Sequence, residues 1–463
     1  MVALRELDPE LWSELEFGTC QLGDKRRTRR LVNYARQMAE KPDASTPRQT
    51  ESWSDCKGVY RLFARDEVTF ESITAVHHQR TRNLQRGAYL VVSDTTELDY
   101  GYESARLGLG RLTAEKHRGF FLHTALVLEA TNGYPVIGVG AQELFTRSSQ
   151  KKKRVRRVGR RKRVSEADVW GRVIDQVQPQ SSAGVKLIHV CDRGADNFDV
   201  FAHLQAKGDS WVIRAAQLTR KVRYGGQVRK LAEVLETADV LGGYQVEVRA
   251  NDKQTARWAE VEVRATEVTL FCPREGSTAF VIDSDIHEVP TRVVEVRELR
   301  PPQNEKPLHW VLYTQEPVST FEQAWRAVEY YEQRPRVEDY HKCLKTGLGV
   351  ERRRYQSHDR LEAVIGVICV QAVRLLQLRD VARNSPTTPA RGIVPQEWLE
   401  TLQQIRRRPV VLNTVRDFLR AVAGLGGFLG RKCDGEPGWL TLWHGLETLL
   451  TALRGYRQPK KCG

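Results

Sequence analysis

Hydrophobic spacing changes character several times along the chain, and each change predicts a different kind of element. Residues 1 to about 75 carry apolar positions at helical intervals. DPELWSELEF opens with an Asp cap followed by Pro at the first helical position. In LGDKRRTRRLVNYARQMAE, Leu31, Ala35 and Met38 share one face and the other is basic. From residue 88 the apolar runs are strand-like. AYLVVSDTTELDY reads as a buried strand ending at Asp94, FFLHTALVLEA and YPVIGVGAQELF as two more, and VKLIHVCDRGADNFDVFAHL as a strand reaching Asp192 and then a helix. Between about 216 and 318, period-two alternation in YQVEVRA, WAEVEVRATEVTLF and HWVLYT, broken by GG and PP, predicts a β-rich insertion. Helical spacing resumes in FEQAWRAVEYYEQ. RLEAVIGVICVQAVRLLQLRD predicts a buried helix, NSPTTPARGIVP a linker, and the remaining residues a smaller helical region. No internal repeat is visible. The expected layout is a helical domain at 1–75, an α/β domain at 76–380 and a helical region at 381–463.

A chain of 463 residues with 40% hydrophobic content supports several cores. Its formal charge of +15 is concentrated, because Lys151 to Arg163 (KKKRVRRVGRRKR) supplies ten basic residues and no acid, leaving +5 elsewhere. Such a run fits either a nucleic-acid contact or a solvated loop. The eight cysteines form no C-x-x-C pair, which argues against a zinc site and a disulfide framework and fits a reducing cytoplasm. Charges at the N-terminus and the expected lack of about eighteen consecutive apolar residues predict a soluble protein with no membrane partner.

The densest candidate chemistry lies in YYEQRPRVEDYHKCLKTG, where Tyr331, Arg334, Glu338 and Lys345 fall within about 60° on a continuous helix. This groups a possible metal-binding carboxylate with three phosphate-seeking side chains. Pro335 interrupts the pattern by biasing Arg334 away from helical angles. Asp339, turned about 100° from Glu338, is the alternative acid. Asp94 and Asp192, each read as ending an apolar strand, would emerge at the rim of a sheet, where α/β sheets place their sites. Three carboxylates can hold a pair of magnesium ions; a lone Asp there can equally form a turn or cap.

DTTELDY, CDRGAD, PLHWVLYT and the Tyr331, Arg334, Glu338, Lys345 spacing together resemble the bacterial cut-and-paste DDE transposases, in the insertion-sequence family with the Tyr-Arg-Glu-Lys signature. LGDKRRTRRLV, GVYRLFAR, VRLLQLRD, GLGGF and LWHGLETL extend the likeness over nearly the whole chain. The resemblance implies a multidomain α/β protein with a ribonuclease H-like core, an N-terminal helical DNA-binding domain and a C-terminal helical dimerisation region. It implies catalytic Asp94, Asp192 and Glu338 holding two magnesium or manganese ions, and it implies nicking, hairpin formation and joining of 3′ ends to target DNA by a homodimer at inverted-repeat ends. Tyr331, Arg334 and Lys345 would hold phosphates, and Trp310 would stack on an extruded base or else be an ordinary strand aromatic. Arg26, Arg27 and Arg30 would contact the end, as base readers or phosphate anchors. Arg193 and Arg214 would touch DNA near the cut or serve as salt-bridge partners. The Lys151 to Arg163 run departs from the family by its density, and its charge suggests that Lys151, Arg156 and Arg160 bind target or non-specific DNA. A bacterial, nucleoid-associated location follows. The competing readings are an inactive, transposase-derived DNA-binding protein and a nuclease of the same sheet type without strand transfer.

Overall fold

Strand β1, Gly87–Asp99, divides the hydrophobic interior, because its alternate residues enter different cores. Leu90 and Val92 join one with Ile188, Val190, Val212 and Leu312, while Tyr89 and Val91 join another with Leu187, Val173, Phe201 and Trp211. A strand buried on both faces reads as a continuous apolar run, as AYLVV does. The computed structural model describes residues 8–42, 44–101, 109–114, 116–147, 168–181, 183–248, 255–272, 286–303, 305–406, 409–431 and 434–456.

Among the described residues, β1 is preceded by helices α1 (Pro9–Phe17), α2 (Lys25–Glu40), α3 (Thr46–Gln49), α4 (Trp53–Leu62) and α5 (Phe70–Arg82). Asp8 caps α1 by accepting from the backbone N–H groups of Glu10 and Leu11, and Leu31, Ala35 and Met38 of α2 are fully buried. After β1 come β2 (Gly110–Arg111), β3 (Arg118–Glu129), β4 (Val136–Phe145), α6 (Asp168–Gln176), β5 (Val185–Cys191), α7 (Phe198–Lys207) and β6 (Ser210–Arg214). The alternating region holds β7 (Lys221–Tyr224), β8 (Gln227–Lys230), α8 (Leu231–Glu236), β9 (Asp239–Val248), β10 (Arg257–Phe271), β11 (Glu288–Glu298) and β12 (His309–Thr314). Helices α9 (Phe321–Tyr331), α10 (Pro335–Lys342), α11 (His358–Asn384), α12 (Gln396–Ile405), α13 (Val415–Leu425) and α14 (Trp439–Tyr456) follow.

All twelve strands form one mixed sheet in the order β2-β3-β1-β5-β6-β12-β11-β10-β7-β8, with β4 also on β3 and β9 on β10. β1 is antiparallel to β3 but parallel to β5, and β5 is parallel to β6. The β-rich segment extends the central sheet, because β12 pairs with β6. The boundary expected at residue 380 falls inside α11. That helix, His358–Asn384, is long and apolar enough by composition to cross a membrane. Yet 89% of its most apolar window is buried inside the protein, as the core helix of a globular fold would be.

The N-terminal helices are fastened to the segment after α10 by a buried cation. Arg353, 4% exposed, donates to the carbonyls of Ala44 (2.7 Å), Pro42 (3.3 Å) and Leu348 (3.2 Å). Beside it the Tyr355 hydroxyl meets Thr46 Oγ1 at 2.8 Å, and Tyr34 donates to Gln49 Oε1 at 2.9 Å. Removing the guanidinium leaves buried carbonyls without donors. Arg353→Met should therefore cost about 3 kcal/mol in urea unfolding, from the loss of charge-assisted hydrogen bonds worth roughly 1.5–3 kcal/mol apiece, only partly offset by solvent.

Candidate active site

Strand register brings the two aspartates together. β1 and β5 run parallel with Ser93 opposite Cys191, so the next residues, Asp94 and Asp192, are neighbours. β5 and β6 place Cys191 opposite Ile213, which puts Arg214 next in the same row. Alternation then fixes the face. Val92, Val190 and Val212 all lie in the core shared with α11, and Asp94, Asp192 and Arg214 follow two residues later on the same side. The strand carrying Asp94 does not end there, as the sequence pattern had suggested; it continues to Asp99, and Asp94 sits mid-strand opposite Thr124 of β3.

Glu338 arrives from α10, which packs over this face. Tyr331 closes α9 and Pro335 opens α10, a first-turn position where its missing N–H costs nothing. The expected single helix is thus broken, and Lys345 falls in a separate π-helical turn, Cys343–Gly347. Arg334, between the two helices, keeps helical angles (φ −53°, ψ −40°) despite the proline after it. Its four-residue relation to Glu338 survives the break.

The Arg334 guanidinium gathers all three acids. Its Nη2 lies 2.9 Å from Asp94 Oδ2 and 3.2 Å from Asp192 Oδ2, and its Nη1 contacts Glu338 Oε1. Each aspartate's other oxygen is occupied: Asp94 Oδ1 accepts from the Thr95 N–H and Asp192 Oδ1 from the Gly194 N–H, both at 2.8 Å. Backbone donors therefore aim one oxygen of each aspartate into the site. Side-chain exposure rises from 15% for Arg334 and 19% for Asp94 to 35% for Asp192 and 41% for Glu338, so the cluster opens to solvent on the Asp192–Glu338 side. Burial pushes the Asp94 carboxyl above its ordinary range; Arg334 opposes that shift and Asp192 adds to it. Three carboxylates from separate segments, all within reach of one guanidinium, form an oxygen-only donor set suited to hard divalent cations such as magnesium or manganese. Asp339 does not belong to this set, because it accepts from Arg379 at 2.8 Å.

A buried polar layer behind the acids escaped sequence reasoning. Thr95 Oγ1 shares a 2.7 Å hydrogen bond with His123 Nδ1, and the Gln142 amide donates to both Thr124 Oγ1 and the Tyr340 hydroxyl at 3.0 Å. Tyr340 in turn donates to the Cys369 carbonyl at 3.1 Å, tying α10 to α11. Burial holds the His123 and His341 imidazoles down at about 3, so both are neutral near pH 7 and leave the acids' charge to Arg334. Only the cross-strand register links these residues, and no local motif announces it.

The other residues singled out in the sequence scatter around this centre. Arg214 lies over the Tyr331 ring at 6.0 Å and donates to the His309 carbonyl at 3.3 Å. Burial raises the Tyr331 phenol, against the pull of Arg214 and Arg334. Trp310 is half-buried on β12, two residues before Leu312, the partner of Arg214. Arg193 is exposed in the short turn after Asp192. Lys345 Nζ stands 3.8 Å from Glu351, which accepts from the Asp99 N–H. Arg26 and Arg30 are exposed on α2, whereas Arg27 is engaged internally, donating to the Leu22 carbonyl at 2.8 Å and pairing with Glu67 at 2.9 Å. Lys151, Arg156 and Arg160 lie outside the described residues. A stripe missed in the sequence runs along α4: exposed Trp53, with Lys57 Nζ 5.4 Å from its ring centre, and Arg61 one turn further. Its signal was the spacing of four residues on one helix. A different His-Asp-Glu group, His358, Asp359 and Glu362, begins α11, and both ring nitrogens of His358 already face carboxylates, at 3.1 and 3.2 Å.

These contacts separate Glu338 from its neighbour. Glu338→Gln should weaken manganese binding about tenfold or more by deleting a charged oxygen ligand, with little loss of stability. Asp339→Asn should cost about 3 kcal/mol in chemical unfolding because it strips the partner from buried Arg379, while manganese binding stays close to wild type. Isothermal titration and urea melts on the two variants test this crossover.

Three family models match the chain in order. Transposase DNA-binding matches residues 9–68, the transposase DDE domain matches 152–371, and the transposase Tn5 dimerisation domain matches 368–462. The DDE match includes Asp192 and Glu338 and begins after Asp94. Among solved structures, the cryo-EM structure of piggyBac transposase synaptic complex with hairpin DNA is similar at a TM-score of 0.40 and 10% identity, covering 98% of this chain and 83% of that one. A likeness of that size bears on neither fold nor function. By its ordered DNA-binding, DDE and Tn5-type dimerisation domains, this chain is a DDE transposase.

Proposed function

We propose that this transposase is a cut-and-paste enzyme of the insertion-sequence family with the Tyr-Arg-Glu-Lys signature, here Tyr331, Arg334, Glu338 and Lys345, acting on inverted-repeat DNA ends. The observation that carries this reading is the convergence of Asp94, Asp192 and Glu338 on one point. The order β4-β3-β1-β5-β6, antiparallel in its first half and parallel in its second, supports a ribonuclease H-like core around them. Two divalent ions bound by the three acids would supply Lewis-acid stabilisation of the reacting phosphate and a water of lowered pKa.

The chain's own residues then have distinct tasks. Asp94 and Asp192, each pinned by a backbone N–H, present fixed oxygens from the rigid sheet. Glu338 completes the set from α10, on the solvent-open side where a scissile phosphate can enter. Arg334 offers a fork for phosphate oxygens, and Lys345 a point charge. Tyr331 donates its hydroxyl beside Arg214, which adds positive charge in the same row. Trp310 would stack on a base extruded as the nicked end closes into a hairpin, and the same 3′ hydroxyl would later attack target DNA. Arg26 and Arg30, joined by Trp53, Lys57 and Arg61 on α4, form the basic and aromatic face offered to the transposon end. Arg193 extends the contact near the cut. Lys151, Arg156 and Arg160 would hold target or non-specific DNA. Residues from about 381 onward would pair two copies into the synaptic homodimer, in a bacterial cytoplasm close to the nucleoid.

Two variants test the chemistry. Asp192→Asn should eliminate magnesium-dependent nicking of end-containing DNA while keeping binding within about tenfold, since it deletes a metal ligand and little else; loss of binding would make Asp192 structural. Trp310→Ala should slow hairpin closure about tenfold or more, from a base-stacking contribution of roughly 1–3 kcal/mol, with the first nick nearly unchanged. Equal slowing of both steps on a denaturing gel would remove Trp310 from the hairpin step.

A further inference from the structure

We propose that Arg334 is an internal gate on cation loading: in the DNA-free protein its guanidinium takes the place of the divalent ions across the three acids, and arriving DNA phosphate draws it away. The inference deepens the reading above and rests on the acids being a cation site. The atoms make the exclusion direct. Nη2 sits on Asp94 Oδ2 and Asp192 Oδ2 at 2.9 and 3.2 Å, and Nη1 on Glu338 Oε1. With the opposite aspartate oxygens held by the Thr95 and Gly194 N–H groups, the oxygens under Arg334 are the ones a cation would need. The same lone pairs cannot serve both.

A guanidinium keeps its charge across the working pH range, so release has to be conformational, driven by an anion that competes with carboxylate for the same fork. Phosphate is that anion. Arg334 is also incompletely satisfied where it stands, because its buried Nε has no hydrogen-bond partner among the described residues. It sits at the joint between α9 and α10. Cation and DNA binding are then linked, and linkage is reciprocal: whatever factor DNA adds to cation affinity, cation adds to DNA affinity. Without phosphate the guanidinium stays across the acids' inward oxygens, which guards against cleavage by an unassembled protein.

The test is manganese binding followed by loss of the free-ion EPR signal, for the full chain with and without a short double-stranded DNA oligonucleotide. Arg334→Gln should bind manganese about tenfold or more tightly than wild type in the absence of DNA, because the competing charge is gone. DNA should raise wild-type affinity by a similar factor and leave the variant little changed. Arg334→Lys, which retains the charge but reaches fewer acids, should fall between them and serves if the glutamine variant does not fold. Equal affinities for wild type and both variants without DNA would overturn the gate while leaving the cation site standing. Manganese binding that is absent from every protein, or unaffected by Asp192→Asn, would instead overturn the functional reading itself.

Discussion

Parallel pairing of β1 with β5 is the constraint from which the rest of the site follows. Once Ser93 faces Cys191, the residues after them must be neighbours, and the alternation of Val92 and Val190 into the core decides which face the two acids share. A one-residue slip would turn one aspartate to the opposite face and move its flanking valine from one core to the other, unsettling the packing of both. Burial of apolar side chains on both faces therefore guards the geometry of charges that contribute nothing favourable to folding on their own. The parallel step to β6 adds Arg214 to the row, and β12 carries Trp310 along the same side. A sheet assembled for hydrophobic reasons thus lays down acids, a cation and an aromatic in sequence.

The cost of collecting three carboxylates is met locally. Arg334 touches all three, the Thr95 and Gly194 N–H groups take one oxygen from each aspartate, and solvent reaches Glu338. Burial still leaves Asp94 harder to ionise than an ordinary carboxyl. Behind the acids, neutral His341, against Thr124, and the Gln142–Tyr340 contact hold α10 on the sheet without adding positive charge, and neutral His123 lies on the opposite face beside Trp170. Backbone donors thus orient the two aspartates, while a single side chain bridges all three acids.

Much of this was legible in the residues, and the misses have definite causes. The helices of the first seventy-five residues, the strands from 88 onward and the buried α11 follow from local spacing, which is what periodicity reports. The pattern ends the strand at Asp94 because polar residues follow it; the strand runs on because Thr95 to Asp99 pair with β3, across separations of 20 to 28 residues. Arg334 was expected to leave helical angles before Pro335, yet the turn between α9 and α10 accommodates them. The β-rich segment reads as an insertion, and nothing local reveals that its last strand, β12, lies against β6. Arg27 looked like its neighbours on the basic face of α2, and only the fold supplies Glu67 as its partner. The candidate acids were nameable individually, but their convergence depends on register between strands almost a hundred residues apart.

The central claim is that Asp94, Asp192 and Glu338 jointly hold divalent cations, and iron-directed backbone cleavage tests it most directly. Ferrous iron bound in place of magnesium, with ascorbate and peroxide, generates radicals that cut the chain beside the ion. With DNA present, the account predicts fragments ending near residues 94, 192 and 338 together, all suppressed by excess magnesium. Cuts confined to the start of α11 around His358, Asp359 and Glu362, or spread along the chain without regard to magnesium, would contradict it.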